Sequence, residues 1–218
     1  MREHTHDVVV IGCGIAGLAA GLRLAERDAD VAILEKAPEE NRGGHTQFTE
    51  SFRIPTADID LDAEFNVEDY SASDFYSDIM KVTNYRADEE LAEAVAHESA
   101  ETFEWLTHKG LEWEYQAPHP GYTAGRVWLH GADMVTDLVE ILEDEGADIF
   151  YRAEAQDLIR DDDGTVTGVE GFHEGERARF TGDAVILAAG DYGSSKEKRT
   201  RYYGPGYGNM KVRGSRYN

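Results

Sequence analysis

Glycine spacing marks the first place in this chain where chemistry is concentrated. Gly12-Cys13-Gly14-Ile15-Ala16-Gly17 follows the β-branched segment 7–11 (DVVVI) and opens a stretch with one apolar face. A G-x-G-x-x-G run in that position has a role for each glycine: Gly12 for a tight turn, Gly14 where backbone approaches a pyrophosphate, and Gly17 where helix and strand pack closely. Ile15 and Ala16 then offer the free N–H groups and the positive dipole end of the first helical turn to phosphates. Glu35 closes a second β-branched run, 31–35 (VAILE), where a carboxylate accepts hydrogen bonds from ribose hydroxyls. The same carboxylate argues against a 2′-phosphate, hence against NADP. The glycine pattern by itself leaves FAD and NAD open, and beside both stands a glycine-rich turn with no ligand. Lys36, the run Arg42-Gly43-Gly44-His45-Thr46 and the small-residue stretch Leu187-Ala188-Ala189-Gly190 extend the candidate set. Cys13 reads as a small buried turn residue rather than a reactive thiol.

These residues need elements to position them. Segments 7–11 and 31–35 are expected strands, and 15–27 an expected helix with Ile15, Leu18, Ala19 and Leu22 on one face. Strand, helix and strand at this spacing make a βαβ unit, so the sheet is parallel and its crossover right-handed. Residues 37–54 are loop-rich and 58–69 acidic and exposed. Helices are expected at 73–83, with Ser73 as N-cap, at 88–108, with Gly110 as stop, and at 132–143, with Val135, Leu138, Val139 and Leu142 on one face. Residues 115–129 read as an irregular loop. A third buried strand at 147–151 precedes a β-meander at 155–159, 166–172 and 178–181, whose first turn is Asp163-Gly164. A last buried strand, 184–188, is closed by Gly190. There is no internal repeat and no interdomain linker.

The chain has 218 residues, 41% of them hydrophobic, enough for a sizeable core. Its 21 Lys+Arg against 44 Asp+Glu give a formal net charge of −23. Such a surface repels phosphate backbones, so no nucleic-acid or anionic-membrane partner is expected. The acids are spread along the chain and arginines outnumber lysines, which fits a cytoplasmic protein of a salt-rich cell. An ordinary acidic enzyme is the alternative. One cysteine excludes an internal disulfide and a cysteine-based metal cluster, and suits a reducing cytoplasm. The apolar-plus-glycine run 8–22 is too short to span a bilayer.

Residues 7–36 follow the pattern DVVVIGxGxxGLxAAxxLAxxGxxVxxLEK with minor departures. With the Gly43-Gly44 loop and the 187–190 strand end, the sequence resembles the FAD-binding half of the fumarate reductase/succinate dehydrogenase flavoprotein family. Stretches 35–54 (EKAPEENRGGHTQFTESFRI) and 203–218 (YGPGYGNMKVRGSRYN) are most similar to its FAD-dependent tricarballylate dehydrogenases. The resemblance implies an α/β, Rossmann-like FAD-binding domain over 1–218, with a parallel sheet, a β-meander crossover and a helical and loop insertion at 52–130. It implies FAD as cofactor and hydride transfer between flavin and a small carboxylate. Gly12, Gly14, Ile15, Ala16, Gly17, Glu35, Lys36, Arg42, Gly43, Gly44, His45, Thr46, Ala189 and Gly190 are the expected cofactor contacts. Three departures stand out. Ala189 replaces the threonine of an A-T-G motif, Asp191 replaces a common glycine, and the sequence stops at Asn218. That is before the family's capping domain, its arginine and histidine residues for substrate and proton, and a second FAD-binding segment. No catalytic residue is therefore assigned. The alternative to a complete enzyme is an FAD-binding module that needs a second polypeptide for the capping and catalytic half. A further alternative, a small dinucleotide enzyme resembling thiazole-precursor synthases, is disfavoured by the family-like stretch 204–218.

His45-Thr46 stands where respiratory members carry covalent flavin. Three readings are open for His45: covalent attachment, a noncovalent flavin contact, and a neutral loop histidine. His4 and His6 read as exposed tail residues, and His119 and His130 as loop residues. Trp105, Trp113 and Trp128 read as core. The run 161–164 (DDDG) reads as a hairpin turn, since it lacks the further ligands of a calcium loop.

Dispersed negative charge of this size makes stability depend on screening. Thermal unfolding across a KCl series is expected to show the melting temperature rising with salt; a flat or falling curve contradicts the salt-rich reading.

Overall fold

In the computed structural model the two β-branched runs lie side by side. The structure describes all residues except 50, 58, 60–68, 117–123, 130–132, 213 and 218. In chain order the strands are β1 (Arg2–Thr5), β2 (Val8–Ile11), β3 (Val31–Glu35), β4 (Ser51–Phe52), β5 (Trp113–Gln116), β6 (Arg126–Leu129), β7 (Asp148–Tyr151), β8 (Ala153–Arg160), β9 (Val166–His173), β10 (Glu176–Thr181) and β11 (Ala184–Leu187). The helices are α1 (Ile15–Ala25), α2 (Ala72–Val82), α3 (Glu89–His108), α4 (Met134–Asp144) and α5 (Lys196–Tyr203). The described residues form two compact units, 1–49 with 133–218, and 50–132.

The first unit is built on a parallel sheet in the order β11-β2-β3-β7. Val9 pairs with Ala32 and Ile11 with Leu34. Alternation along the strands sends Val9 and Leu34 to one face, where they pack with Ala153, Val169, Ala178 and Phe180 of a second sheet. Val10 and Ile33 point to the other face, toward α1, where Gly21 lies between Ile33 and Leu142 of α4. Leu18, Leu22, Leu138 and Leu142 are fully buried there. The second sheet has the order β1-β10-β9-β8, with β8, β9 and β10 the expected meander. Gly164 at its first turn has φ +84°. The outer strands of the parallel sheet are less buried than their apolar runs predict. Asp148 opens β7 in solvent, and Leu187 at the end of β11 is 66% exposed.

The unit 50–132 departs further from expectation. Helix α2 starts at Ala72, not after Ser73. The Ser71 hydroxyl accepts the Asp74 N–H at 3.1 Å, and the Asp74 carboxylate accepts the Ser71 N–H at 3.1 Å. Only the first serine has the acid three residues on that closes this reciprocal box. Asp88 caps α3, and Gly110 follows it at φ +104°. Segment 115–129 is not an irregular loop throughout: β5 and β6 pair antiparallel, Tyr115 against Val127, and β4 joins the far edge of β6. The alternation of Trp113 and Tyr115 carries this pairing. Both pack, as Phe52 does, against the cluster of Ile54, Phe103 and Val127, with the Phe103 and Trp113 rings 5.1 Å apart. His119 and His130 lie outside the described residues.

His4 and His6 are not in an exposed tail. Strand β1 pairs parallel with β10, Arg2 opposite Ala178 and His4 opposite Phe180. The His4 ring stacks on Phe180 at 4.7 Å and meets the edge of Phe150 at 4.7 Å. Its polar sequence hid this strand, because the contacts are made by imidazole faces rather than by aliphatic residues.

Burial, followed by repulsion from His173, His6 and Arg2, lowers the His4 pKa. The folded state therefore binds this proton more weakly than the unfolded chain does. The His4 contribution is present at neutral pH and is lost as pH falls through and below about 6.5, the ordinary imidazole value. A melting-temperature series is expected to show a shallower acid decline for His4→Phe than for the unchanged protein; equal slopes would remove His4 as the cause.

Candidate functional site

Strands β2, β3 and β11 point the same way, so their C-terminal ends converge. A cleft of about 610 Å³ opens there, lined by residues 11–16, 34–36, 43–46, 153–155, 187–191 and Tyr217. Main chain shapes its floor. Gly12 has φ +107°, and a Cβ on it would stand 2.4 Å from the Ala188 carbonyl oxygen. A Cβ on Gly17 would stand 1.9 Å from the Gly12 carbonyl oxygen. Both positions therefore require glycine so that α1, β2 and the end of β11 can close together. Gly14 differs: its nearest neighbours are Thr46 Oγ1 at 3.5 Å and the Gly43 carbonyl at 3.6 Å, so no packing contact demands it.

Gly14 is the N-cap of α1 and supplies no side-chain cap, and the first turn carries no acid. The positive end of the helix dipole therefore faces the cleft with no acidic residue in the helix's own first turn to offset it. Ile15 is partly withdrawn from the expected phosphate role, since its N–H donates to Thr46 Oγ1 at 2.9 Å. Ala16 lines the cleft, whereas Gly17 lies behind it as a packing residue.

Glu35 is 6% exposed at the end of β3. One carboxylate oxygen accepts the Ala37 N–H at 2.8 Å and the other the Cys13 N–H at 3.3 Å. It thus ties the glycine turn to the strand end while lining the cleft beside Lys36. Cys13 is fully buried, and its thiol pKa is pushed up to about 12, first by burial and then by the Glu35 charge. Arg42 does not line the cleft. It donates to the Glu39 carbonyl at 3.1 Å and to Thr136 Oγ1 at 3.0 Å, which fastens the 43–46 turn against α4. Gly43 packs on Val135 of the same helix, and Gly44, His45 and Thr46 reach the cleft.

His45 is held on both ring nitrogens. Nδ1 accepts the Ser215 N–H at 3.1 Å, and Nε2 stands 3.3 Å from Asp191 Oδ1. Asp191, which the sequence marked only as a departure from glycine, also accepts the Gly193 N–H. The following segment is gathered by Arg199, whose guanidinium donates to the carbonyls of Gly193, Tyr207, Gly208 and Met210. Ala189 and Gly190 line the cleft, after Ala188 donates its N–H to the Ile11 carbonyl at 2.9 Å. Sequence reasoning missed Ala153, Glu154 and Ala155. They enter because β8 begins directly after β7, which pairs with β3. Asp191, Ser215 and Tyr217 were missed because their neighbours are distant in sequence.

A family model described as an FAD binding domain matches residues 7–210. The chain belongs to that FAD binding domain family. Its cofactor is FAD. Relatives include a vinyl phenol reductase of Lactiplantibacillus plantarum, 30% identical over 88% of this chain and 39% of its own length. A urocanate reductase of Eggerthella lenta is 28% identical over 90% of this chain and 33% of its own length. Among solved structures, the open conformation of a flavocytochrome c3 fumarate reductase superposes with a TM-score of 0.84 at 26% identity, covering 98% of this chain and 38% of that one. The chain thus spans between a third and two fifths of the length of these relatives. No helix among the described residues is long and apolar enough to cross a membrane.

In this FAD binding domain, the Thr46 side chain joins the second loop to the start of α1. Thr46→Val removes that acceptor from a buried site and is expected to cost about 1–2 kcal/mol of stability with a parallel loss of FAD affinity. Thr46→Ser is expected to restore both in thermal melts and flavin titrations; a Val variant as stable as the unchanged protein would contradict the role.

Proposed function

We propose that this chain is the cofactor-binding part of a flavin-dependent reductase or dehydrogenase of the fumarate reductase/succinate dehydrogenase type, acting on a small carboxylate. The carrying observation is the acid-free N-terminus of α1 facing a cleft that Glu35 and the 43–46 turn also line. Gly14 leaves room for a group against backbone, and no packing contact in the structure otherwise accounts for that space. Ala16 and the cap region hold the pyrophosphate, Glu35 and Lys36 the ribose end, and residues 43–46 with Ala189 and Gly190 the flavin side. FAD, when bound, supplies two-electron chemistry at its isoalloxazine. The protein's own residues bind and orient it: the buried Glu35 carboxyl stands at the strand end, and Arg42 and Thr46 fix the loop beside it. His45 contacts the flavin noncovalently, because a hydrogen bond from Ser215 occupies its Nδ1 and Asp191 faces its Nε2.

The relatives' names support the substrate class in part. Fumarate and urocanate are unsaturated carboxylates, and vinyl phenol shares their conjugated double bond. Tricarballylate, a saturated tricarboxylate, is the finer reading, supported by the resemblance of 35–54 and 203–218. The acidic surface supports a role in a salt-rich cytoplasm. A second reading is a module that works together with another polypeptide supplying the capping and catalytic half.

Two measurements test these readings. Flavin titration in high salt is expected to show FAD binding without NADPH binding, and Glu35→Ala to weaken FAD by no more than about 1.5–3 kcal/mol, the value of hydrogen bonds to a charged group. NADPH binding without FAD binding would overturn the cofactor assignment. In an anaerobic assay of the reduced flavoprotein, saturable reoxidation by fumarate or another unsaturated carboxylate supports a complete site. Reoxidation only after adding a second polypeptide supports the module reading.

A further inference from the structure

The parallel sheet has a second end, opposite the cleft. Three adjacent strands begin there, and each brings a metal-binding side chain with it. His6 precedes β2, Asp30 precedes β3 and Asp148 opens β7. His6 Nε2 lies 3.1 Å from Asp148 Oδ2 and 3.9 Å from Asp30 Oδ1. The three ligand atoms lie within 4.8 Å of one another. The His6 side chain is 7% exposed, with Nε2 aimed at the two carboxylates and Nδ1 without a hydrogen-bond partner. The carboxylates are 57% and 66% exposed, so the site is open to solvent on their side.

The backbone around these groups is already fixed. The His6 N–H donates to the Thr181 carbonyl at 3.0 Å, and the Asp30 N–H to the Asp7 carboxylate at 2.9 Å. Asp148 is held by its pairing with Ala32. Two carboxylates thus converge on one imidazole, and no Lys or Arg is paired with either among the described residues. One imidazole nitrogen with two carboxylate oxygens is a donor set suited to borderline divalent ions, and two negative charges balance a 2+ ion.

We propose that His6, Asp30 and Asp148 form a binding site for a divalent cation of the zinc type, with water completing the coordination. The ion clamps the starts of β2, β3 and β7. It sits one strand length, about 15 Å, from the cleft and takes no part in the flavin chemistry. Bound there, it stabilises the folded state by mass action, because the unfolded chain does not bring the three ligands together.

The test is calorimetric titration of chelator-stripped protein with Zn²⁺, in molar KCl and millimolar Mg²⁺ to cover unspecific carboxylate binding. One saturable site is expected, with the melting temperature rising by roughly 5–10 °C at a hundredfold excess over Kd. His6→Ala and Asp148→Asn are each expected to weaken binding more than about tenfold, while Asp162→Asn in the exposed hairpin leaves it unchanged. If His6→Ala does not fold by circular dichroism, Asp30→Asn and Asp148→Asn decide the matter from exposed positions. Unsaturable binding, or a saturable site that these variants leave unchanged, overturns the proposal and leaves His6 as a hydrogen-bond partner of Asp148 only. Because FAD binding is measured separately, either result is independent of the flavin assignment.

Discussion

Main chain against main chain, without side chains between, is the constraint on which the cleft depends. The Gly12 carbonyl occupies the space of a Gly17 Cβ, and the Ala188 carbonyl that of a Gly12 Cβ. These contacts bring the start of α1, the end of β2 and the end of β11 into one cluster. A side chain at either glycine would wedge the layers apart by the width of a methyl group, and the helix terminus would no longer face the cleft. Glu35 acts on the same turn from the other side, accepting the Cys13 N–H, so the carboxylate and the helix terminus are placed by one piece of backbone.

Much of this was legible because it is local. Strand β3 occupies residues 31–35 as its β-branched run predicts, and the meander and its Asp163-Gly164 turn follow period two and turn chemistry. What escaped is nonlocal or polar. The β1 strand is written in arginine, glutamate, histidine and threonine and gains its apolar contact from ring faces. The β5–β6 pair is masked by the prolines and glycines between its strands. In the cleft, Gly12, Gly14 and Glu35 were marked by spacing, and the 43–46 loop by the family resemblance. Asp191 and Ser215 became visible only when the chain brought them to His45. Arg42 shows a role that spacing does not reveal: its guanidinium ties the loop to Thr136 of α4.

A parallel sheet has two unlike ends, and this chain uses them differently. At the C-terminal ends, glycines and a helix start without an acid in its first turn present backbone and a positive dipole end to the cleft. At the N-terminal ends, side chains converge instead, one imidazole and two carboxylates, and the local charge is negative. The strands between are apolar and closely packed, so the two environments are electrically distinct within one rigid scaffold.

Cys13 has a practical consequence for spectroscopy. It is the only thiol in the sequence, it is fully buried, and its pKa of about 12 leaves almost no thiolate at neutral pH. A cysteine introduced at an exposed position would ionise near the ordinary value of about 8.5 and react far faster with a maleimide or a spin label. The unaltered background is therefore already suited to single-site labelling. Pairs of such labels would allow the distance between residues 1–49 with 133–218 and residues 50–132 to be followed in solution without first removing a native cysteine.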